Sequence, residues 1–241
     1  MASCPVKRRR SPDGVKRRRP HPATSGSERA RVWNTLPAAR ASSGTNVLQR
    51  STHPDLRAPP AARPLRGLAA GPLQACFEQA LARADGLTGA HCVHEWWMRG
   101  EFAINVEHAL DRLWKHAAAS IPEWLPMRHV EWLGLCYEVA LTMRATARGR
   151  SNVYLVLLDY ADSRPEPHGV YVGMTHYRPA QRFDQHKAGI RAAGSVLRRG
   201  LEVLAGPTLH LQHIARAEAA RIEGELAEAL RAAGLFVQGG H

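Results

Sequence analysis

The chain lacks the features that would place it in a membrane or in a disulfide framework. Its longest apolar run, Val153–Leu158, is six residues, far short of the ~20 needed to span a bilayer. A membrane-spanning reading is therefore excluded. No apolar stretch follows the basic block Lys7–Arg10, so no secretory leader is expected. Cysteine is scarce: four residues, at positions 4, 76, 92 and 136, form no Cys-x-x-Cys pair in a chain of 241 residues. A chain of that size can build its own core, and the thiols read as reduced and mostly core. The expectation is an intracellular protein, cytoplasmic in a bacterium.

Net charge is missing from most of the chain as well. The formal net charge is +12, yet residues 1–66 hold 15 Lys/Arg against 3 Asp/Glu, which leaves 18 of each for residues 67–241. The whole excess belongs to a segment rich in Arg, Pro, Ser and Ala, a composition that buries too little apolar area to offset its ordering entropy. Residues 1–66 therefore read as a disordered basic tail. The blocks Lys7–Arg10 and Lys16–Arg19 fit a nuclear-import address in a eukaryote, a phosphate-grasping arm or a solvated charge run, and the composition also suits an organelle transit peptide.

Residues 67–149 carry a helical period. Leu73, Phe77, Ala80 and Leu81 recur at three to four residue spacing, as do Phe102, Val106, Ala109, Leu110 and Leu113. After Pro122 a stripe of Leu125, Val130, Leu133, Cys136, Val139, Ala140 and Met143 predicts a helix that ends near Gly149. The expectation is an all-α accessory subdomain. Five of the six tryptophans lie in it, at 96, 97, 114, 124 and 132, and at helical spacing they read as core. The run His91-Cys92-Val93-His94-Glu95 has zinc-ligand residue types, but no second ligand pair accompanies it, so the spacing argues against zinc.

Beyond Gly149 the period changes. Asn152–Leu158 is apolar at odd and even positions alike, the pattern of a strand covered on both faces. Asp162–Pro167 reads as a turn and Gly169–Met174 as a second strand, which makes a hairpin. Pro179 suits the first turn of a helix reaching about Ala188. A short helix around Val196–Leu204, a strand Thr208–Ile214 and a long helix Ala217–Ala232 closed by Gly234 complete the expectation. The class is α/β, in a domain spanning residues 150–241.

The polar residues of this half sit where a phosphodiester could be cut. Tyr154 lies in the first strand, Tyr171 and Gly173 in the second, Thr175 just past it, and Arg182 and His186 four apart on one helix face. Such cleavage needs a base for water, cations against the charge of the transition state, and commonly a metal on a carboxylate. Glu218, Glu223 and Glu225 are all available on the long helix, and periodicity does not choose among them.

These residues in this order resemble the GIY-YIG nuclease superfamily over about residues 150–236. Asn152-Val153-Tyr154 stands where that family has Gly-Ile-Tyr, Tyr171-Val172-Gly173 where it has Tyr-Ile-Gly, and Arg182-x-x-x-His186 matches its Arg-x-x-x-His helix. Ala217–Gly224 is similar to the late helix that carries the metal-binding glutamate. The resemblance implies a small three-stranded sheet flanked by helices, one Mg²⁺ or Mn²⁺ ion, and single-step hydrolysis of a nucleic acid, DNA ahead of RNA. It further implies that Glu223 holds the metal, that Arg182 stabilises the scissile phosphate, that Tyr154 or Tyr171 handles the attacking water with help from His186, and that Gly173, Thr175 and Lys187 contact substrate. Asn152 departs from the family glycine, and the loop His176-Tyr177-Arg178 is about one residue longer. The same residues on a fold that binds nucleic acid without cutting it form the alternative expectation.

Overall fold

The computed structural model describes residues 54–240, so the blocks Lys7–Arg10 and Lys16–Arg19 lie outside the described residues. Two short 3-10 turns, Pro54–Arg57 and Pro60–Ala62, lead into the helical segment. Leu56 and Leu65, inside the stretch expected to have no core, are 1% and 4% exposed, so the folded part begins earlier than composition alone indicates.

The first three helices are α1 (Ala70–Ala82), α2 (Gly86–Met98) and α3 (Ala103–Ala117). The expected stripe is the buried one at Leu73, Phe77, Ala80 and Leu81 on α1 and at Val106, Ala109, Leu110 and Leu113 on α3, but Phe102, expected to open the α3 stripe, is the residue before the helix and is 77% exposed. Asp85 starts α2 by accepting the Thr88 N–H at 3.0 Å, which satisfies one of the free donors at a helix N-terminus. The Cβ of any other residue at Gly86 would lie 2.5 Å from the Ser120 carbonyl carbon, so the glycine lets the end of α3 close onto the start of α2. His91 and His94 are buried, His91 donating through Nε2 to the Leu56 carbonyl at 3.0 Å, while Glu95 pairs with Arg63 at 2.8 Å and Arg99 at 2.7 Å.

The helix expected between Pro122 and Gly149 is reduced to α4 (Leu133–Ala140). Its stripe is real, since Leu125, Val130, Leu133 and Cys136 are all buried, but turns deliver the first two. Pro126 removes a donor and would clash with the preceding turn of any helix running through it. The last part of the segment belongs to the sheet, because β1 already starts at Arg148.

The sheet follows as β1 (Arg148–Asp159) and β2 (His168–Thr175), then α5 (Pro179–Lys187), α6 (Gly194–Arg199), β3 (Gly200–Val203), a 3-10 turn Gly206–Leu211, α7 (Arg216–Ala232) and β4 (Val237–Gly239). The strand order is β3-β1-β2-β4, with β1 antiparallel to both neighbours and β2 parallel to β4. The expected three strands are thus four. After the helix stop at Gly234 the chain turns back so that Val237–Gly239 pairs along the free edge of β2, and Leu235 and Val237 are buried. The third strand also lies elsewhere than expected: Gly200–Val203 pairs with β1, while Thr208–Leu211 coils as a 3-10 turn opened by Gly206-Pro207. Ile214 keeps only isolated bridges to Arg148 and Ser151. Alternation in so short an apolar run does not separate strand from turn.

A single cluster of buried side chains runs from Leu73 and Phe77 through Leu133 and Val153 to Ile222 and Leu230, joining the helical segment to the α7 side of the sheet. A smaller cluster of Tyr154, Val156, Leu158, Phe183 and Val196 fills the opposite side, under α5 and α6. No helix among the described residues is long and apolar enough to cross a membrane. Because Leu56 belongs to the larger cluster, Leu56→Ala should cost about 2–5 kcal/mol, read as a lower denaturant midpoint. An unchanged midpoint would put residues 54–57 outside the cooperative fold.

Candidate functional site

Alternation along β1 decides what the site is made from. Val153, Leu155 and Leu157 face the core shared with α7, so Tyr154, Val156 and Leu158 face α5. Tyr171 packs against that same α5-side cluster, its ring centroid 6.0 Å from that of Tyr154. Gly173 stands directly opposite Tyr154 in the ladder. A Cβ there would lie 2.6 Å from Tyr171 Cε1 and 2.9 Å from the Tyr154 hydroxyl, so only glycine lets the two phenols lie over this strand.

Helix α5 supplies the next two groups. Phe183, 2% exposed, fixes its rotation, and Arg182 and His186 follow one turn apart. His186 Nε2 lies 2.8 Å from the Tyr154 hydroxyl, and its Nδ1 accepts the Ala193 N–H at 2.9 Å. A backbone N–H can only donate, so Nδ1 is bare and the ring proton sits on Nε2, donated to Tyr154. Burial, with the Arg182 charge adding to it, depresses the His186 pKa to about 4. The imidazole is therefore neutral at physiological pH.

The phenols differ in access. Tyr154 is 1% exposed, whereas Tyr171 is half-buried. Burial raises both, and in Tyr171 the nearby Glu223 charge raises it further while the Tyr154 hydroxyl and Arg182 hold it down. A polarised chain thus runs from the Ala193 N–H through His186 and Tyr154 to Tyr171, the member that reaches solvent.

Arg182 is held by its neighbours. Its guanidinium donates to Gln185 Oε1 at 3.1 Å, to the Ile190 carbonyl at 3.2 Å and to the Arg191 carbonyl at 2.8 Å. The loop that offers those carbonyls turns sharply at Gly189 (φ 77°) and Arg191 (φ 46°), the second a conformation that costs about 1–3 kcal/mol in a residue with a side chain. One loop therefore sets the Arg182 cation through its carbonyls and the His186 tautomer through the Ala193 N–H. Sequence reasoning missed it, and for a plain reason: the groups that act are main-chain atoms and carry no residue signature. Gly189 was the one readable sign of a turn.

Three acids on α7 were left open by periodicity, and the geometry separates them. Glu218 is used by the entry to β1, accepting the Thr146 N–H and hydroxyl, both at 2.9 Å, and the Ala147 N–H at 2.8 Å. Glu225 pairs with Arg221 at 2.5 Å. Glu223 is 8% exposed at the border of the stripe Ala219, Ile222, Leu226 and Leu230, and takes part in no ion pair among the described residues. Burial pushes its carboxyl up to about 7, against a lowering by the Met174 N–H. The carboxyl thus meets β2 at Met174, and its charge reaches Tyr171.

The remaining candidates have other work. Thr175, 6% exposed, accepts the Tyr177 N–H at 3.1 Å. Lys187 donates to the Leu197 and Gly200 carbonyls, both at 3.1 Å, and so ties α5 to β3. Asn152, read from the sequence as tolerated strand geometry, is a clamp: it donates to the Tyr177 carbonyl at 2.8 Å and accepts the His213 N–H at 2.9 Å. No group of three or more His, Cys, Asp or Glu among the described residues could hold a metal ion. A single buried carboxylate without an opposite charge nevertheless fits a hard divalent cation that retains most of its waters.

The titration of Glu223 has a definite sign. Its carboxyl stays protonated to about 7 in the folded chain but ionises near 4.5 when unfolded, so stability falls as pH rises between those values. Glu223→Gln should therefore unfold at a higher temperature than the parent at pH 8 and match it at pH 4. Mg²⁺ or Mn²⁺ should raise the parent midpoint at pH 8 and leave that of Glu223→Gln unmoved. Equal responses of the two proteins would remove Glu223 as the cation's ligand. Gly173→Ala should lose about 1–3 kcal/mol through overpacking against the two phenols, measured by chemical denaturation. In comparisons with known proteins, no family model, no curated protein and no solved structure matches the chain.

Proposed function

We propose that the protein hydrolyses phosphodiester bonds in nucleic acid, DNA ahead of RNA, as a divalent-metal-dependent endonuclease of the GIY-YIG type. The observation that carries this reading is the hydrogen-bonded Tyr154–His186 pair at 2.8 Å, with Tyr171 and Arg182 beside it and the Glu223 charge within reach of Tyr171. A packing arrangement alone would not bury a neutral imidazole and two phenols beside the Arg182 cation, with an unpaired carboxyl within reach of one phenol.

The roles follow from access and charge. Tyr171, the phenol that reaches solvent, orients the attacking water by accepting a hydrogen bond from it, the Tyr154 hydroxyl holds Tyr171 in place by donating to it, and the water's proton leaves to solvent as its oxygen bonds to phosphorus. His186 keeps Tyr154 in that orientation by donating from Nε2. Arg182, planar and permanently charged, faces the scissile phosphate and offsets the charge gained in the transition state. Glu223 would hold Mg²⁺ or Mn²⁺, which when bound supplies charge neutralisation at the phosphate. Its carboxyl must ionise for this, so activity should rise with pH through about 7. Water attack in a single step needs no covalent intermediate, and none of these side chains has to act as nucleophile.

The test is cleavage of supercoiled plasmid and branched oligonucleotides by the full chain in Mg²⁺, in Mn²⁺ and with chelator. Cutting should require the cation, be lost in Glu223→Ala and Arg182→Ala, and fall on the order of 10²-fold or more in Tyr171→Phe. Absence of cutting on every substrate, with DNA still bound, would favour the non-catalytic binding module.

A further inference from the structure

The described part of the chain carries cations that no ion pair or hydrogen bond uses, and some of them converge. Gly149 is the reason. A Cβ on it would lie 2.5 Å from the Ile214 carbonyl oxygen and 2.7 Å from Ala215 Cα, so its absence lets residues 213–216 lie flat on the start of β1. The join is then made by the main chain: Gly149 N–H to the His213 carbonyl at 2.9 Å, Ala215 N–H to the Ala147 carbonyl at 2.8 Å, and bridges from Ile214 to Arg148 and Ser151. Glu218 fixes the approach by taking the Thr146 and Ala147 donors, and Asn152 closes it at the His213 N–H.

This seam gathers Arg148, Arg150, His213 and Arg216, all exposed. The two arginines stand on β1 just ahead of Asn152 and Tyr154, on the stretch that Ile214 bridges at both Arg148 and Ser151. At about 3.3 Å per residue of extended strand, Arg150 stands at most ~13 Å and Arg148 at most ~20 Å from Tyr154 along β1. DNA carries one phosphate per strand about every 3.4 Å of its axis, so these spacings correspond to about four and about six nucleotides.

We infer that Arg148, Arg150 and Arg216, with His213 beside them, form a phosphate track that binds the backbone of duplex DNA on one side of the site. The inference rests on the nuclease reading for its position, but the track's own chemistry is charge against phosphate. Its carboxylate neighbour, Glu218, has both oxygens engaged by Thr146 and Ala147. Each arginine reads no base, so the track supplies affinity and register, and leaves sequence choice to other contacts.

The experiment is the affinity of the full chain for a labelled DNA duplex, in chelator, across a salt series, so that binding is read without cutting. Each lost phosphate contact lowers the slope of log K against log salt by about 0.9, so Arg148→Gln/Arg150→Gln should lower it by about 1.8 relative to the parent. Arg83→Gln/Arg128→Gln, which removes the same charge from the helical segment, should leave the slope within about 0.3 of the parent. An unchanged slope in the β1 variant, or an equal loss in both variants, would overturn the track. A loss seen only with an RNA duplex of the same sequence would overturn its assignment to DNA. The two readings fail separately: a slope loss in a protein that cuts nothing in any cation sinks the nuclease and keeps the track, and normal cutting with an unchanged slope does the reverse.

Discussion

The contact on which the site depends is the hydrogen bond between His186 and Tyr154, 2.8 Å long and buried beneath α5. Both partners give up water to make it, so each must be satisfied inside the protein. His186 is satisfied on its far side by the Ala193 N–H, and that single main-chain donor fixes which ring nitrogen carries the proton. Tyr154 can then accept from the imidazole and turn its own proton toward Tyr171. The packing serves the same pair: Gly173 leaves room above β2, Phe183 sets the rotation of α5, and the turn at Gly189–Arg191 brings the loop back to both α5 residues.

The sheet gives these groups a rigid base. β1 is central, paired with β2 on one side and β3 on the other, and buried on both faces from Ser151 to Leu158. Its odd positions bind the domain to α7 and the helical segment, and its even positions build the site. The helical segment is joined to the sheet by continuous packing and by Glu202 on β3, which accepts the Met127 N–H at 2.9 Å and whose carboxyl burial pushes up to about 7. A change in that seam would be felt along β1, the strand that carries Tyr154.

Much of this was legible in the sequence, and the limits were physical. Long periodic elements were readable: the stripe of α1, the doubly buried β1, the hairpin to β2, α5 from Pro179 and the stop of α7 at Gly234 all stand where the pattern puts them. Short elements were not. Gly200–Val203 and Val237–Gly239 have too few residues to show a period, and Thr208–Ile214 shows a false one. Pro126 outweighed the apolar stripe around it. At the site, the side chains that the fold brings together around Tyr154 were readable, while telling Glu218, Glu223 and Glu225 apart needed the partners that the fold brings to each. Lys187 and Thr175 carry contacts that no motif announces: Lys187 donates to main-chain carbonyls and Thr175 accepts the Tyr177 N–H.

The hydrogen-bonded chain at the site depends on the protonation of one ring, which long-range nitrogen–proton correlation of the imidazole of His186 reads directly at pH 7. The structure predicts a neutral ring with the proton on Nε2 and a bare Nδ1, holding that form on acidification to about 4. A ring that carries its proton on Nδ1, or that is cationic at pH 7, would contradict the hydrogen-bonded chain and with it the assignment of Tyr171 to the attacking water.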